Sequence, residues 1–489
     1  MSKIIHDNLC LLTAIHVKKT QYRPFMSTNN YMKHYNSALL IIVLASLLAS
    51  CSSDDYLKVV PADCQALAAI DMTMSDNKSD ANSRAAELMK TVFGADDLTD
   101  CGIAFDTRIL LFETEDGLFG LCAKVDDGSD LQTFIDDKLT AKGICQKTVS
   151  RKDCHFTMIR DSWLLGFTDE ALLVIGPVVS TAKAVLIHQM TRLLEGKEKR
   201  SVVDSRIYHR LDSIQSPIAL VTQARALPEQ FAALFTLGAP KDADPSQLYL
   251  SLAATKDGSV VDVEWETFSF NSHIQAALQE AHKTFRPVTT RYLSAFTPDM
   301  PATILMNIDG GRLLEMMRDN KGLQTLLAGV NTAIDMDNIL RCVDGDLSVF
   351  LPSFTEKGAD VVMAAELKST DFLKDVAYWK QSCPAGTRIE DSGPGRYRFT
   401  DGSMNFFFGV SDHQFYAGST PDNCTLGLKS IVEPSSDISS RVGGQRLCLL
   451  VHLDTLRHHP TVGGMVEPIL QLLFGDAGLL ICHTVYLSP

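Results

Sequence analysis

The most restrictive feature of this chain is a unit written twice. The first copy opens at Pro61 with the run Ala66-Leu67-Ala68-Ala69-Ile70-Asp71-Met72; the second opens at Pro301 with Ala302-Thr303-Ile304-Leu305-Met306-Asn307-Ile308-Asp309. In the first copy there follow Arg108-Ile109-Leu110-Leu111-Phe112, a turn at Glu115-Asp116-Gly117, an apolar run from Leu118 to Cys122, and a helical pattern from Ser129 to Ala141. The second copy answers with Leu347 to Leu351, a turn at Glu356-Lys357-Gly358, Val361 to Ala365, and a helical pattern from Ser369 to Lys380. A third block sets Trp163-Leu164-Leu165-Gly166-Phe167-Thr168-Asp169 against Phe406-Phe407-Phe408-Gly409-Val410-Ser411-Asp412. The offset stays near 240 residues throughout. Three matching blocks in one order point to an internal repeat rather than to chance.

Local physics sets the class. Apolar runs of four to eight residues rich in Leu, Val, Ile and Phe read as strands. Gly117 and Gly358 permit the positive φ of tight hairpin turns, and short turns between neighbouring strands mean antiparallel pairing. Ser129 and Ser369 are placed to cap helix starts, with Leu131, Phe134, Ile135 and Leu139 on one helical face. Each copy is therefore expected to be α+β, a mostly antiparallel sheet packed with helices, and not doubly wound. Further pieces are a helix from Ala182 to Leu194, a strand at Ile218 to Thr222, and a hairpin of Gln247 to Thr255 with Ser259 to Phe268 around Lys256-Asp257-Gly258. A helix from Ser272 to Phe285 follows and is broken by Pro287. The second copy closes with a strand from Leu447 to Leu453, a helix from Val466 to Phe474, and a strand from Leu479 to Leu487. The expected division is 61–287 for the first domain and 288–489 for the second.

The stretch ahead of Pro61 carries an address. From Met32, the basic Lys33 and His34 precede a Leu/Ile/Ala core from Ala38 to Ala49, and small residues lead to Cys51. The core suits a signal peptide and is shorter than the roughly 20 residues that span a bilayer. Leu48-Ala49-Ser50-Cys51 resembles the bacterial lipoprotein signal. That resemblance implies a signal peptide over 32–50, a diacylglyceryl group and palmitate-type acyl chains on Cys51, and a lipidated tether over 51–60. Residues 1–31 read as an upstream mis-start or an extension, with Met26 and Met32 both available as starts. Ser52-Ser53-Asp54-Asp55 resembles the surface-export signal of Bacteroidetes lipoproteins. The expected location is the outer membrane, lipid-anchored, with exposure at the cell surface.

Removing residues 1–50 takes away five basic and one acidic side chain, which carries the net charge from −14 to −18. Nucleic acid and anionic head groups need basic surface, so nucleic acid is not an expected partner. Beyond Cys10 and Cys51, ten cysteines remain. Cys122, Cys448 and Cys482 lie in apolar runs, where a thiol packs as a small hydrophobe. Cys101 and Cys342 each precede the second strand of their copy, and Cys145 and Cys383 each follow the next helix. Two equivalent disulfides, Cys101–Cys145 and Cys342–Cys383, are one reading; reduced buried thiols are the other.

No P-loop, nucleophile elbow, HExxH or complete calcium loop occurs, and no cofactor is expected. Asp335, Asp337, Asp344 and Asp346 lack full loop spacing for Ca²⁺ and read as a solvated loop. His452, His458 and His459 lack further ligands for zinc and read as a polar strand exit. Asp212-Ser213-Ile214 and Asp454-Thr455-Leu456 resemble the short O-glycosylation sites of Bacteroidetes exported proteins, which implies modification at Ser213 and Thr455.

The lipoprotein signal, the opening Val60-Pro61-Ala62-Asp63 and the duplicated strand–turn–strand–helix unit together resemble a family of Bacteroidetes lipoproteins of unknown function, over essentially residues 52–489. Those motifs are structural and transfer no catalytic residue. The expected function is a non-catalytic binding or structural role. The membrane is the partner through the lipid anchor, and an envelope protein or glycan is the ligand. The alternative is a glycan or peptide hydrolase whose paired carboxylates meet only in space.

Overall fold

β1 (Cys64–Asp71) has both edges occupied, and the first half of the molecule is built outward from it. In the computed structural model, residues 54–71, 88–90, 92–95, 97–227, 232, 235–319, 334–355, 358–402, 404–460 and 463–485 are described. On one side β1 pairs antiparallel with β2 (Arg108–Thr114), Leu67 opposite Phe112. On the other it pairs with β8 (Ile218–Gln223), Ile70 opposite Ile218. Beyond β2 come β3 (Phe119–Lys124), β7 (Ala171–Gly176), β6 (Trp163–Phe167), β5 (Cys154–Ile159) and the edge strand β4 (Val149–Arg151). Beyond β8 come β9 (Tyr249–Asp257) and β10 (Val260–Phe268).

The second half shares part of this strand order. β11 (Phe285–Arg286) and β12 (Ala302–Asp309) are followed by β13 (Val343–Thr355), β14 (Gly358–Leu367), β15 (Arg388–Asp391), β16 (Arg396–Thr400), β17 (Asn405–Ser411), β18 (Gln414–Gly418), β19 (Leu447–His452) and β20 (Leu479–Thr484). β12 lies between β13 and β19 as β1 lies between β2 and β8, and β14, β18, β17, β16 and β15 extend outward in turn. β10 and β20 join the halves as a parallel pair, Val260 opposite Leu479 and Trp265 opposite Thr484. The described strands thus form one sheet that runs through position 287, α+β and otherwise antiparallel. Tyr56–Pro489 is one compact unit.

The α-helices named among the described residues are α1 (Gly128–Thr133), which a π-helical stretch at Phe134–Leu139 continues, α2 (Lys183–Leu194), α3 (Arg206–Asp212), α4 (Ser272–His282), α5 (Gly310–Asp319), α6 (Met336–Cys342), α7 (Val376–Ser382), α8 (Ser436–Val442), α9 (Leu453–Arg457) and α10 (Gly463–Phe474). Sheets covered on both faces need apolar residues at successive strand positions, which is why β7 is buried along its whole length. On one face Leu67, Phe112, Leu173 and Ile175 meet Leu186, Met190 and Leu193 of α2 and Ile207 and Leu211 of α3. On the other, Ile109, Leu121, Leu172 and Val174 meet Leu131, Phe134, Ile135 and Leu139, the helical stripe expected from sequence. In the second half Leu347, Ala365 and Phe408 meet Val376 and Trp379 of α7. The opposite face packs Leu305, Phe350, Val362 and Leu450 with Val442 of α8.

Several local expectations need correction. Ser129 is not the cap of α1: the Asp127 carboxylate accepts from the Ser129 and Asp130 N–H groups at 2.8 and 3.0 Å, and the Ser129 hydroxyl donates to it at 2.6 Å. A carboxylate accepts all three donors, so the helix starts two residues earlier. The Ser129 and Asp130 bonds also hold the Asp127 carboxyl below its usual range. Ser369 caps no helix either. Its hydroxyl faces Cys342 Sγ at 3.4 Å, and α7 begins only after a 3₁₀ turn at Asp371–Asp375. α4 stops at His282 and not at Phe285, because Phe285 leaves to pair with Ile308 of β12.

Of the two readings of the cysteines, the structure has the reduced one: Cys101, Cys145, Cys342 and Cys383 are free thiols, like the other six cysteines described. Each thiol has a local role in packing. Cys145 Sγ faces the Ile135 carbonyl at 3.8 Å, and Cys383 Sγ donates to the Trp379 carbonyl at 3.2 Å. The signal segment, Cys51 and residues 1–31 lie outside the described residues, as do Glu356 and Lys357 of the second turn.

Candidate functional site: a cleft beside the first strand

Three segments distant in sequence converge where the chain enters β1. Val60 is fully buried, and its carbonyl accepts from the Val202 N–H at 3.0 Å, which draws the stretch after α2 against the entry to β1. The Asp63 carbonyl accepts from the Glu115 N–H at 3.0 Å, which brings in the β2–β3 turn. That turn is closed by Gly117 at φ 80° and by Thr114, whose hydroxyl receives the Leu118 N–H at 3.1 Å and bonds the Asp116 carboxylate. α2 is ended by Gly196 at φ 63°, a left-handed position that suits glycine after a helix. Glu195 there is gripped by Lys152 and Lys197, each at 2.6 Å. These bonds, that of Lys152 first, hold its carboxyl below the usual range.

The result is a cleft of about 520 Å³. Leu118, Ile175, Leu186 and Leu193 form its apolar floor, and Pro61 lines the entrance. Its rim carries both signs: Asp63, Asp116 and Glu198 with Lys199 and Arg200, all exposed. Glu198 is held by Arg192 at 2.8 Å. Beneath the rim, Cys64 Sγ donates to the Pro61 carbonyl at 3.1 Å, and burial pushes that thiol far above its ordinary value. The floor can hold an apolar group while the rim steers a ligand carrying charge, the usual division of labour in small-molecule sites. The carboxylates of this rim stand in solvent.

The residues singled out from sequence fall elsewhere. Ser213 is exposed at the end of α3, its hydroxyl donating to the Arg210 carbonyl at 2.7 Å, beside the Asp212–Arg108 ion pair at 2.7 Å. Thr455 is half-buried in α9, its hydroxyl 3.3 Å from the Pro298 carbonyl. The four acids are structural. Asp335 caps α6, Asp337 pairs with Arg318 at 2.6 Å, Asp344 pairs with Arg286 at 2.6 Å, and Asp346 is buried under donors. The histidines are spread apart by main-chain partners. His452 stacks on Phe296 and bonds the Met300 carbonyl at 2.9 Å, His459 stacks on Phe354 and bonds its carbonyl at 2.7 Å, and His458 bonds the Asp454 carbonyl at 2.8 Å. Among the described residues no group of three or more His, Cys, Asp or Glu side chains could hold a metal, and no helix is long and apolar enough to cross a membrane.

The opening at Pro61-Ala62-Asp63, the turn with Asp116 and Leu118, and the helix with Leu186 and Leu193 are each legible in the sequence, but nothing there shows that they meet. Lys199 and Arg200 sit in the charged run Glu195 to Arg200, which reads locally as a helix end. A family model described as a domain of unknown function (DUF4836) matches residues 68–431. No curated protein and no solved structure matches the chain.

Proposed function

The chain belongs to the DUF4836 family, and we propose that it is an outer-envelope lipoprotein, tethered through Cys51, that binds a ligand and catalyses no reaction. The observation that carries this reading is the cleft at Pro61–Asp63, apolar below and charged of both signs above, with its charges in solvent. The entrance follows Cys51 by ten residues, a tether of about 35 Å at full extension. A ligand held there would stay close to the membrane surface, and the ligands that suit its chemistry are an envelope peptide or glycan. The common strand order on either side of the β10–β20 junction supports two related units, 61–287 and 288–489, derived from one ancestral unit. The apolar core ending at Ser50-Cys51 and the Ser-Ser-Asp-Asp stretch support export, lipidation and surface exposure.

The test is capture from native envelopes with the wild-type chain and with Leu193→Arg, which puts a cation into the cleft floor. A peptide or glycan retained by the first and lost by the second is the expected result. Identical material from both chains would overturn the assignment of the cleft. Alkyne-palmitate labelling checks the anchor separately: wild type is labelled, Cys51→Ala is not, and equal labelling removes the lipoprotein reading.

Asp63 and Asp116 share the cleft, and this favours a second reading, hydrolysis of a glycan or peptide by paired carboxylates. Asp63→Asn and Asp116→Asn decide it. Turnover of an envelope glycan or peptide pool by wild type, lost in both variants, would replace the binding reading.

A further inference from the structure

On the far side of the start of α2 lies a second cleft, of about 270 Å³, between that helix and the edge strand β4. Its charged lining residues are Lys147, Arg151 and Lys183, with no carboxylate among them. In a chain of net charge −14 this is a local reversal of sign. No ion-pair partner is found for any of the three cations among the described residues. Two acids of the neighbouring segments are engaged elsewhere. Glu195 is held by Lys152 and Lys197, and Asp136 accepts the Thr148 N–H at 2.7 Å and the Thr148 hydroxyl at 2.9 Å. The Asp136 bonds fix the backbone between Lys147 and Val149, so the edge strand is held in place beside the cleft. The floor is apolar: Phe156, Met158 and Leu164 are buried, and Ile187 of α2 closes one side. Val149, opposite Phe156 in the β4–β5 ladder, is 68% exposed although it lines the cleft.

We infer that this cleft binds an amphipathic organic anion with a single apolar chain, a medium-chain fatty-acid anion. Unpaired cations around a desolvated floor attract an anion and strengthen the contact with its carboxylate as water leaves. An apolar chain covers Val149 and Ile187, which a bare inorganic anion would leave wet. The volume, about 270 Å³, is just below the roughly 300–1,000 Å³ of small-molecule sites, so one chain fits and a two-chain lipid does not. The site is separate from the cleft at Pro61, whose rim carries both signs, and does not depend on the reading of that cleft.

The test uses the full chain in amphipol and a ten-carbon fatty acid carrying a photoactivatable diazirine. Adducts are expected on peptides containing Val149–Phe156 and Lys183–Ile187. Decanoate should compete them away; decanol and inorganic phosphate should not. Labelling of those peptides should fall about tenfold in the Lys147→Glu/Lys183→Glu double variant, whose substitutions are on the surface, and in Val149→Asp, which puts a carboxylate into the cleft. Adducts spread over the chain, or unchanged in both variants, would overturn the site. Equal competition by decanol would reduce it to an apolar contact, and equal competition by phosphate to a plain anion site; either outcome removes the proposal.

Discussion

The Asp346 carboxylate accepts both the main-chain N–H of Thr289, at 3.1 Å, and the Thr289 hydroxyl, at 2.6 Å. It also takes the Arg291 N–H at 3.3 Å and the Asn307 amide at 2.8 Å. Asp346 is 2% exposed and lies on β13, whereas Thr289 and Arg291 belong to the connection after Pro287. One buried side chain thus fastens the link between the two halves onto β13 of the second half. Thr290 between them has φ 66°, a left-handed conformation unusual for a β-branched residue, and the bonds on either side hold it there.

Asp346→Ala therefore leaves the Thr289 and Arg291 N–H groups without their acceptor. The expected loss is roughly 3 kcal/mol of unfolding free energy, since hydrogen bonds to charged groups are worth more than neutral ones and orphaned donors add a penalty. Urea titration of the purified chain checks it. Asp346→Asn should lose less, because the carbonyl of the amide keeps an acceptor; equal losses would mean that the remaining acceptor holds nothing and that the charge carries the effect.

Arg441 of α8 bonds Asp257 at 2.6 Å, Asp437 at 3.0 Å, and Asp262 on β10. It couples the second half to the last hairpin of the first. Asp257 and Asp437 are largely exposed, so screening keeps the network weak. Arg441→Ala should cost about 1 kcal/mol at low salt, and the loss should shrink in 1 M salt, where the Debye length is about 3 Å. A loss independent of salt would assign the effect to packing of the side-chain stem.

His282, at the end of α4, has its pKa lowered from 6.5 to about 4, first by burial and then by the Arg446 charge. The folded imidazole therefore resists protonation that the unfolded chain accepts. Above pH 6.5 the group is neutral in both states and does not affect stability. As pH falls from 6.5 towards 4, the unfolded state takes up the proton and stability drops with a slope approaching one proton; below about 4 both states are charged and the drop levels off. Urea midpoints at pH 7, 5.5 and 4 should fall further in wild type than in His282→Gln. Parallel curves would show that His282 titrates alike in both states.

All ten cysteines from Cys64 onward are free. Thiol counting in denaturant should return the same number with and without reductant. Without denaturant Cys122 should react slowly, because it is fully buried and burial pushes its thiol far above the ordinary value. A gain in count on reduction would restore a disulfide.

β1 and β12 are apolar runs ended by Asp71 and Asp309, and Gly117 and Lys256-Asp257-Gly258 announce their hairpins, because a turn needs only neighbouring residues. The stripe Leu131, Phe134, Ile135 and Leu139 marks the face it buries for the same reason. The cap of α1 is not legible locally: Ser129 and Asp127 are both good capping types two positions apart, and only the backbone geometry says which one lies outside the helix.

The primary structure by itself determined the α+β class, many of the strands, the turns at Gly117 and Gly258, and the buried stripe Leu131, Phe134, Ile135 and Leu139, since these follow from spacing along the chain; β4, β5, β7, β11, β15, β16 and β18 became evident only in the structure. The tertiary structure alone decided that β10 and β20 run parallel and join the halves into one sheet, and that Cys101 and Cys145 each pack as separate thiols. It also decided that Pro61, Leu118, Ile175, Leu193 and Arg200 share one cleft, and that Lys147, Arg151 and Lys183 share another. These are contacts between residues tens to hundreds of positions apart. Nothing in a local pattern encodes them; they form only when burial of the apolar faces brings the elements together.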